Sequence, residues 1–415
     1  MPMLTGDARR EAAVTLSLLL QEQGRWEESI EALGMHTDVP TSRVGKLLAA
    51  IALLYTTRQS QQEMQELMSS ALDEVVAVET GDELLAAARL GAEISNKLRD
   101  PALCELLSTG IAQRRLEICT NAGIQNQVTL AQIKLLYFSG SRADQFVALK
   151  DLEAKAHSQS TPNSLSVSIN AGLGTMLNGR GRYAEAANYF RISFDLARRL
   201  DSAAAMHACL SNLALCHSRL GETSQVVTIA RRADKLTASG FLGYSEILIG
   251  YHWGLALVAH GEAKEVDALI QRLRVRMMCG SPDWMAQAWD FFLADLLFAR
   301  GEETAARNLG WNALDARGGV LCRSFAGMAA RIATWNLETA ERAARARAHI
   351  RECSLHPQVL DANDLVEVLC AQLRVARADG DWDLSELIRK QLNDACDALP
   401  PPALQQMELL GAVLH

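Results

Sequence analysis

Small and apolar residues fill long stretches of this chain, and short polar breaks containing a glycine separate them. At each break a helix-forming segment reaches a glycine, a polar residue follows, and a second helix-forming segment begins. This pattern is typical of two antiparallel helices joined by a tight turn. The glycines that mark it are Gly24, Gly181, Gly221, Gly261, Gly301 and Gly380.

The marker glycines are evenly spaced along the chain. Gly181, Gly221, Gly261 and Gly301 follow one another at intervals of 40 residues, and the other gaps are close to multiples of that interval. Less regular breaks near positions 59, 100, 140 and 340 fill the remaining places. The sequence therefore predicts about ten helical hairpins with a period near 40 residues.

The turn and the helices beside it have a simple chemical logic. Glycine ends the first helix because it adopts the left-handed backbone conformation without steric cost. Acidic residues, as at Glu222 and Glu262, then begin the second helix, where the helix dipole favours them. Small or moderate side chains recur at two fixed offsets from the turn, which lets the paired helices approach closely. They are Gly174, Ala214, Gly254 and Ala294 before the turns, and Ala186, Val226, Val266 and Ala306 after them.

The most regular hairpins resemble a known repeat family. Leu173-Gly174, Gly181, Tyr183, Ala186 and Phe190 resemble the tetratricopeptide repeat, and Asn212-Leu213-Ala214 with Gly221 resembles a second copy. The period is longer than the family's usual value of about 34 residues, and the proline that often closes a repeat is absent. Long repeats of this kind resemble those of kinesin light chains and of the sensor domain of MalT-like bacterial transcription activators.

The resemblance implies an all-α fold in which about ten hairpins stack into a right-handed superhelical solenoid with a concave inner surface. We expect one solenoid over residues 1–415, with its clearest repeats in 165–310 and degenerate repeats in 10–164 and 311–398. The tail "LPPPALQQMELLGAVLH" predicts a proline break and a short apolar helix over 402–415. That helix caps the last hairpin or leads into a further segment.

Composition argues against several classes of function. The net charge of −8 and the pI near 5.7 argue against direct nucleic-acid binding and against adhesion to an anionic membrane. No window approaches the roughly 20 apolar residues of a membrane span, and the N-terminus does not resemble a signal peptide. The nine scattered cysteines suggest neither a disulfide framework nor a zinc ribbon and fit a reducing cytoplasm.

No catalytic, metal or cofactor site is expected. Cys209 and Cys216 are seven residues apart on one predicted helix, about 10.5 Å along its axis, so they cannot share an ion by themselves. Asp290 and Asp295 have no obvious histidine, lysine or third acid beside them for acid–base chemistry. We therefore expect a protein that is not an enzyme, although repeat folds occasionally host catalysis.

The candidate functional residues are polar residues of first helices that should line the concave surface. The resemblance to kinesin-light-chain repeats implies that Asn212 grips the backbone of a bound peptide, and an amide offers both a donor and an acceptor for that role. The other candidates follow from helical geometry alone, and water facing a wide groove explains each of them equally well. They are Lys134, Asn170, Thr175, Asn178, Arg219, Tyr251, His252 and Asp295.

These features favour a protein- or peptide-binding scaffold or sensor in a bacterial cytoplasmic regulatory or signalling system, which captures a partner segment in its groove. The bacterial setting rests on the Ala- and Arg-rich composition and on the MalT-like resemblance. The alternative is a small-molecule-sensing domain of a MalT-like transcription regulator. Its aromatic pocket would use Trp253, Trp284, Trp289 and Trp311. The sequence leaves the ligand and any homo-oligomerisation open.

Overall fold

The computed structural model describes residues 6–22, 26–34, 43–56, 66, 69–70, 73–75, 77–98, 101–136, 142–157, 164–236, 244–278, 283–335, 337 and 339–411. Helices and the short turns between them account for these ranges, and no strand occurs within them. The all-α prediction is therefore confirmed. The markers Gly24 and Gly140 lie outside the described residues.

The helices have the following bounds in chain order: α1 Gly6–Glu22, α2 Trp26–Gly34, α3 Arg43–Thr56, α4 Gly81–Leu98, α5 Pro101–Ile118, α6 Ala122–Leu136, α7 Arg142–His157, α8 Ser164–Asn178, α9 Tyr183–Arg199, α10 Ala203–Arg219, α11 Thr223–Leu236, α12 Tyr244–Ala259, α13 Ala263–Met278, α14 Asp283–Ala299, α15 Glu303–Ser324, α16 Ala326–Ala333, α17 Ala340–Cys353, α18 Ala362–Ala378, α19 Trp382–Cys396 and α20 Pro401–Leu409. A 3-10 turn, Pro357–Val359, precedes α18. Helices α4/α5 through α18/α19 form successive hairpins, and α1/α2 form another. The helix α3 precedes a stretch, 57–76, that is largely outside the described residues.

The predicted turns are present, and they share one hydrogen-bonding pattern. After α10, Gly221 has a φ of 73°. Its amide donates to Ser218 O at 3.1 Å, and the amide of Glu222 donates to His217 O at 2.9 Å. This is the Schellman arrangement, which satisfies the last carbonyls of the helix. The same pair of bonds and a positive φ recur at Gly181, Gly261, Gly301 and Gly380.

Close helix packing explains the small residues at fixed offsets. A Cβ built at Gly174 would lie 2.8 Å from the Phe190 ring, and one built at Gly254 would lie 2.7 Å from the Leu296 side chain. Both distances are too short for carbon atoms. The first helix of each of these hairpins can therefore reach its neighbour only through a glycine.

The chain divides into two compact units. The first is Met1–Gly172 with Asp195–Met206, and the second is Leu173–Phe194 with His207–His415. Leu84, Leu107 and Ile111 are among the fully buried residues of the first unit's core. A single right-handed superhelical solenoid over residues 1–415, with its division into clear and degenerate repeats, stays a prediction.

Hairpins far apart in the sequence meet within the second unit. The amide of Ala362, at the start of α18, donates to Gly179 O at 2.9 Å. With its amide oxygen directed toward Arg219, Asn363 accepts from both terminal guanidinium nitrogens at 2.6 and 2.9 Å, and its amide nitrogen lies 3.1 Å from the Tyr183 hydroxyl. The last hairpin thus contacts the turn that follows α8.

Candidate functional site

The first candidate site is a half-open cavity of about 100 Å³ in the first unit. Its polar lining comes from the first helices of three successive hairpins, α4, α6 and α8. These residues are Arg89, Glu93, Gln127, Lys134, Ser164 and Ser168. Of the nine candidate residues from the sequence, Lys134 is among those that line this cavity, and a ligand-binding role for it stays a prediction.

Helix geometry places these side chains together. Arg89 and Glu93 are four residues apart on α4, and Gln127 and Lys134 are seven apart on α6, so each pair shares a face. Nη2 of Arg89 donates to Oε1 of Gln127 at 3.3 Å, which joins the two helices. Two cations and one carboxylate give the lining a net positive charge. Such a lining suits a carboxylate that also needs an amide partner.

The three candidates on α8 have different environments. Asn170 is 3% exposed; its Nδ2 donates to Ser166 O at 2.8 Å, and its Oδ1 is buried without a hydrogen-bond partner. Thr175 and Asn178 are half-buried. Oδ1 of Asn178 lies 3.9 Å from Sγ of Cys216. None of the three is among the residues that line the cavity of the first unit.

The second candidate site is the face of α10 that carries Asn212 and Arg219. These residues are seven apart, about two helical turns, and both are half-buried. Nδ2 of Asn212 donates to Ala208 O within its own helix at 3.0 Å. Nη1 of Arg219 donates to Oε1 of Gln406 at 3.1 Å. The face that was expected to hold a partner thus already holds part of this chain.

Residues 399–411, which we name the C-terminal segment, make further contacts on this side of the second unit. Nε2 of Gln406 donates to Oγ of Ser218 at 2.9 Å. Near the end of the segment, Nη1 of Arg331 donates to Leu410 O at 3.1 Å. Nη1 of Arg374 lies 3.5 Å from Gly411 O. A short helix is present near the predicted position as α20, which ends at Leu409, and side chains of first helices bond its middle and the residues just after its end.

The C-terminal segment also packs against turn glycines. A Cβ built at Gly181 would lie 2.5 Å from the carbonyl oxygen of Ala398, immediately before the segment. One built at Gly221 would lie 3.0 Å from Cβ of Pro402. At the other end, one built at Gly411 would lie 2.8 Å from the Phe298 ring. Close approach is thus needed at both ends.

A buried ionic network lies beneath the end of the segment. Arg331 forms two hydrogen bonds with the carboxylate of Asp295, at 2.7 and 2.9 Å, and its Nε donates to Glu367 at 3.1 Å. The Tyr251 hydroxyl donates to Asp295 at 2.9 Å. Burial alone would lower the pKa of Arg331, but the carboxylates of Asp295 and Glu367 outweigh it and raise that pKa. The arginine is therefore charged at any physiological pH.

His252 is a buried polar residue of a different kind. It is 2% exposed, and neither ring nitrogen has a hydrogen-bond partner. Burial, with a smaller contribution from the Arg219 guanidinium, lowers the pKa of His252 to about 3. The imidazole is therefore neutral at physiological pH. Its ring centroid is 5.0 Å from that of Tyr251.

Tyr251, His252 and Asp295 are thus buried in this structure, whereas Lys134 is exposed and Asn212 and Arg219 are half-buried. Contact between a partner and the three buried residues stays a prediction that requires the site to open.

Sequence reasoning missed Arg374, although a signal for it existed. Arg374 lies six residues before its turn glycine, as Thr175 and Asp295 do. The sequence carries no such signal for Arg331, because its hairpin turn lacks a glycine.

Of the tryptophans proposed for an aromatic pocket, the three whose side chains the structure describes lie in different surroundings. Trp253 lines a cavity of about 20 Å³, enough for a water molecule but far below the size of a usual ligand pocket. Trp289 and Trp311 belong to different core clusters. The side chain of Trp284 lies outside the described residues.

Two further properties concern metals and membranes. Among the described residues, no three histidine, cysteine or acidic side chains converge as metal ligands. None of the described helices is both long and apolar enough to cross a bilayer.

Comparison with solved structures supports the helical repeat fold. The chain is similar to a Rap protein complexed with competence and sporulation factor, with 10% sequence identity, a TM-score of 0.52, and coverage of 97% of this chain and 99% of that one. It also matches the Rap conjugation gene regulator of the plasmid pLS20 in complex with the Phr* peptide, with 12% identity, a TM-score of 0.47, and coverage of 84% and 97%. No family model and no curated protein matches the sequence. At these identities the likeness concerns the fold, and the tetratricopeptide-like prediction is confirmed at that level.

Proposed function

We propose that this chain is a peptide- or protein-binding helical repeat protein of a bacterial cytoplasmic regulatory or signalling system. The observation that carries the proposal is the polar cavity on the first helices α4, α6 and α8. In a helical repeat protein the first helices face the inner surface, which is the usual place for ligand binding. The partner segment is captured there.

The lining of the cavity fits the chemistry of a peptide. Lys134 and Arg89 attract a carboxylate, either an acidic side chain or a chain terminus. Gln127 and the two serine hydroxyls supply donors and acceptors for backbone amides. A volume of about 100 Å³ takes one such group, while the rest of the peptide follows the helix faces beside it.

The Rap protein with the similar fold was crystallised with competence and sporulation factor, so this architecture supports capture of a signalling factor. We propose a binding role without catalysis, since the buried carboxylates of Asp295 and Glu367 are both engaged by Arg331. The seven described cysteines are free thiols, which fits a reducing compartment.

The test is a selection of peptides from a displayed random library on the full chain, followed by affinity measurements for the enriched sequences. Lys134→Glu should weaken binding at least about tenfold, because it replaces the exposed cation of the cavity with an anion. Lys390→Glu is the matched control, since Lys390 is exposed on α19 and makes the same charge change elsewhere. Equal affinities of the two variants, or no enriched peptides, would contradict the proposal.

A further inference from the structure

We propose that the surface beneath the C-terminal segment is a second binding site, specific for a short amphipathic helix, and that the chain's own α20 occupies it as a detachable ligand. This inference goes beyond peptide capture in the first unit. It concerns another surface, and the probe in its test is a peptide of the chain's own sequence. Four kinds of observation within the second unit support it.

The segment has the character of an amphipathic ligand helix. Ala403, Met407 and Leu410 are buried against the second unit, with exposures of 0%, 0% and 1%. Leu409, on the opposite side of α20, is 54% exposed. The positions 403, 407 and 410 recur at the spacing of one helix face. A single apolar stripe therefore makes the contact.

The surface beneath recognises polar features of that helix. Arg219 and Ser218 both bond the side-chain amide of Gln406. Arg331 donates to the carbonyl of Leu410, and Arg374 lies near the carbonyl of Gly411. The last carbonyls of a helix lack partners and carry the negative end of its dipole. Two arginines at that end select a helix terminus of defined direction.

The surface beneath the segment contains several polar residues, whereas an interface that is only structural could be apolar. Arg219, Arg331 and Arg374 come from three different first helices, α10, α16 and α18, which are the elements that line the inner surface in helical repeats. The buried His252, with both ring nitrogens unpartnered, lies close enough to Arg219 for its pKa to respond to it. Most buried polar groups in proteins have a hydrogen-bond partner, so the unpartnered imidazole of His252 marks a place where a permanent core would be better served by an apolar side chain.

The segment is built to separate from the last hairpin. Pro400 is the cap residue of α20, and Pro401 and Pro402 are its first two residues, so α20 starts afresh and does not continue α19. The cap residue Pro400 offers no side-chain hydrogen bond to the helix start. A helix of nine residues is not stable by itself in water. The helical form of α20 therefore depends on the surface that it covers.

The test compares two full-length variants with the same charge change. Met407→Asp places a carboxylate on the buried face and should release the segment, whereas Leu409→Asp alters the exposed face and should leave it seated. The probe is a fluorescein-labelled synthetic peptide of residues 398–411, and its binding is measured by anisotropy. The probe should bind Met407→Asp at least about tenfold more tightly than the wild type or Leu409→Asp, because only that variant has an open site.

Three results would overturn the inference. The probe binds all three proteins equally, or Met407→Asp loses its cooperative unfolding and bulk helicity, which would make α20 part of the core. The third result concerns the unaltered chain. We expect the amides of residues 403–411 to exchange with solvent at least about tenfold faster than those of α18, through local opening. Exchange as slow as that of α18 would overturn the inference. Peptides that were selected on the full chain and that lose affinity with Lys134→Glu should bind Met407→Asp as they bind the wild type, so failure here is separable from failure of the proposed function.

Discussion

Replacing turn glycines with alanine lowers the free energy of unfolding for two separable reasons. One is the left-handed backbone conformation, and the other is a steric clash with the residues around Ala398. Gly181 and Gly261 have nearly the same φ, 74° and 73°. A Cβ built at Gly261 meets nothing within 4 Å. One built at Gly181 lies 2.5 Å from Ala398 O and 2.9 Å from Cδ2 of Leu399. The two substitutions therefore share one energetic term and differ in another.

The shared term is the left-handed conformation, which costs a non-glycine residue about 1 kcal/mol. Gly261→Ala should lower the free energy of unfolding by about that amount. Gly181→Ala adds a clash with a backbone carbonyl, and overpacking of this kind costs about 1–3 kcal/mol more. Gly221→Ala should fall between them, because its nearest contact is the edge of Pro402 at 3.0 Å.

Urea unfolding followed by far-UV circular dichroism measures the three free energies, and hydrogen exchange locates the change. Gly181→Ala should also speed amide exchange at the start of the C-terminal segment, whereas Gly261→Ala should not. Equal losses at Gly181 and Gly261, or a larger loss at Gly261, would refute the reasoning. Either result would mean that Ala398 and Leu399 do not pack closely against the turn at Gly181.

Three further predictions concern buried groups. His252→Leu should reduce the loss of stability on acidification: the folded-state pKa of His252 is about 3 against an ordinary 6.5, so the wild type loses about 1.4 kcal/mol per pH unit as the pH falls below 6.5, or about 2 kcal/mol by pH 5. Denaturant unfolding at pH 6.5 and at pH 5 measures the free energy of unfolding of both proteins. Equal losses in the wild type and the variant would contradict the prediction. Arg331→Met should cost about 3–5 kcal/mol in the same assay, because it leaves Asp295 buried without its cation; a loss below about 1 kcal/mol would refute that account. Iodoacetamide should label Cys396, which is partly exposed, before Cys216, which is buried and whose pKa burial raises to about 12; mass spectrometry reads the order, and the reverse order would show that the α10 site opens readily.

The repeat architecture could be predicted from the sequence because each hairpin is specified locally. A glycine is required wherever φ is positive, as at Gly221, and wherever a ring fills the space of a Cβ, as Phe190 does against Gly174. These needs recur with the repeat, so they are visible as a period. Lys134 could be placed beside a polar cavity for the same reason, since helical spacing alone sets the face on which it lies.

The hairpin of α16 and α17 shows where local rules become harder to see. Its turn has no glycine, and α17 begins instead at Thr339, whose side chain accepts from the amide of Arg342 at 3.2 Å. Without a marker glycine, the sequence does not show which position of the other first helices corresponds to Arg331. Its partners, Asp295 and Glu367, each lie 36 residues away in the sequence. The repeat period of 40 residues therefore does not predict that these three side chains meet.

The position of α20 could not be predicted for a related reason. A repeat pattern specifies contacts between neighbouring hairpins, whereas Gln406 meets Arg219 across 187 positions of the sequence. The pattern of α20 indicates a short helix with one apolar face. It does not indicate which surface covers that face. Leu410 nevertheless belongs to the same buried cluster as Tyr251.

The buried ionic network connects four successive hairpins. Tyr251, Asp295, Arg331 and Glu367 lie on α12, α14, α16 and α18, the first helices of four successive hairpins. Burying these charges costs desolvation free energy, which their mutual attraction offsets only while every partner is in place. Because each helix contributes one member, a shift of any hairpin would break a short hydrogen bond. Nη1 of Arg331 also donates to the carbonyl of Leu410, so release of the C-terminal segment removes an acceptor from the same network. A ligand that displaces α20 therefore acts on the group that aligns four hairpins.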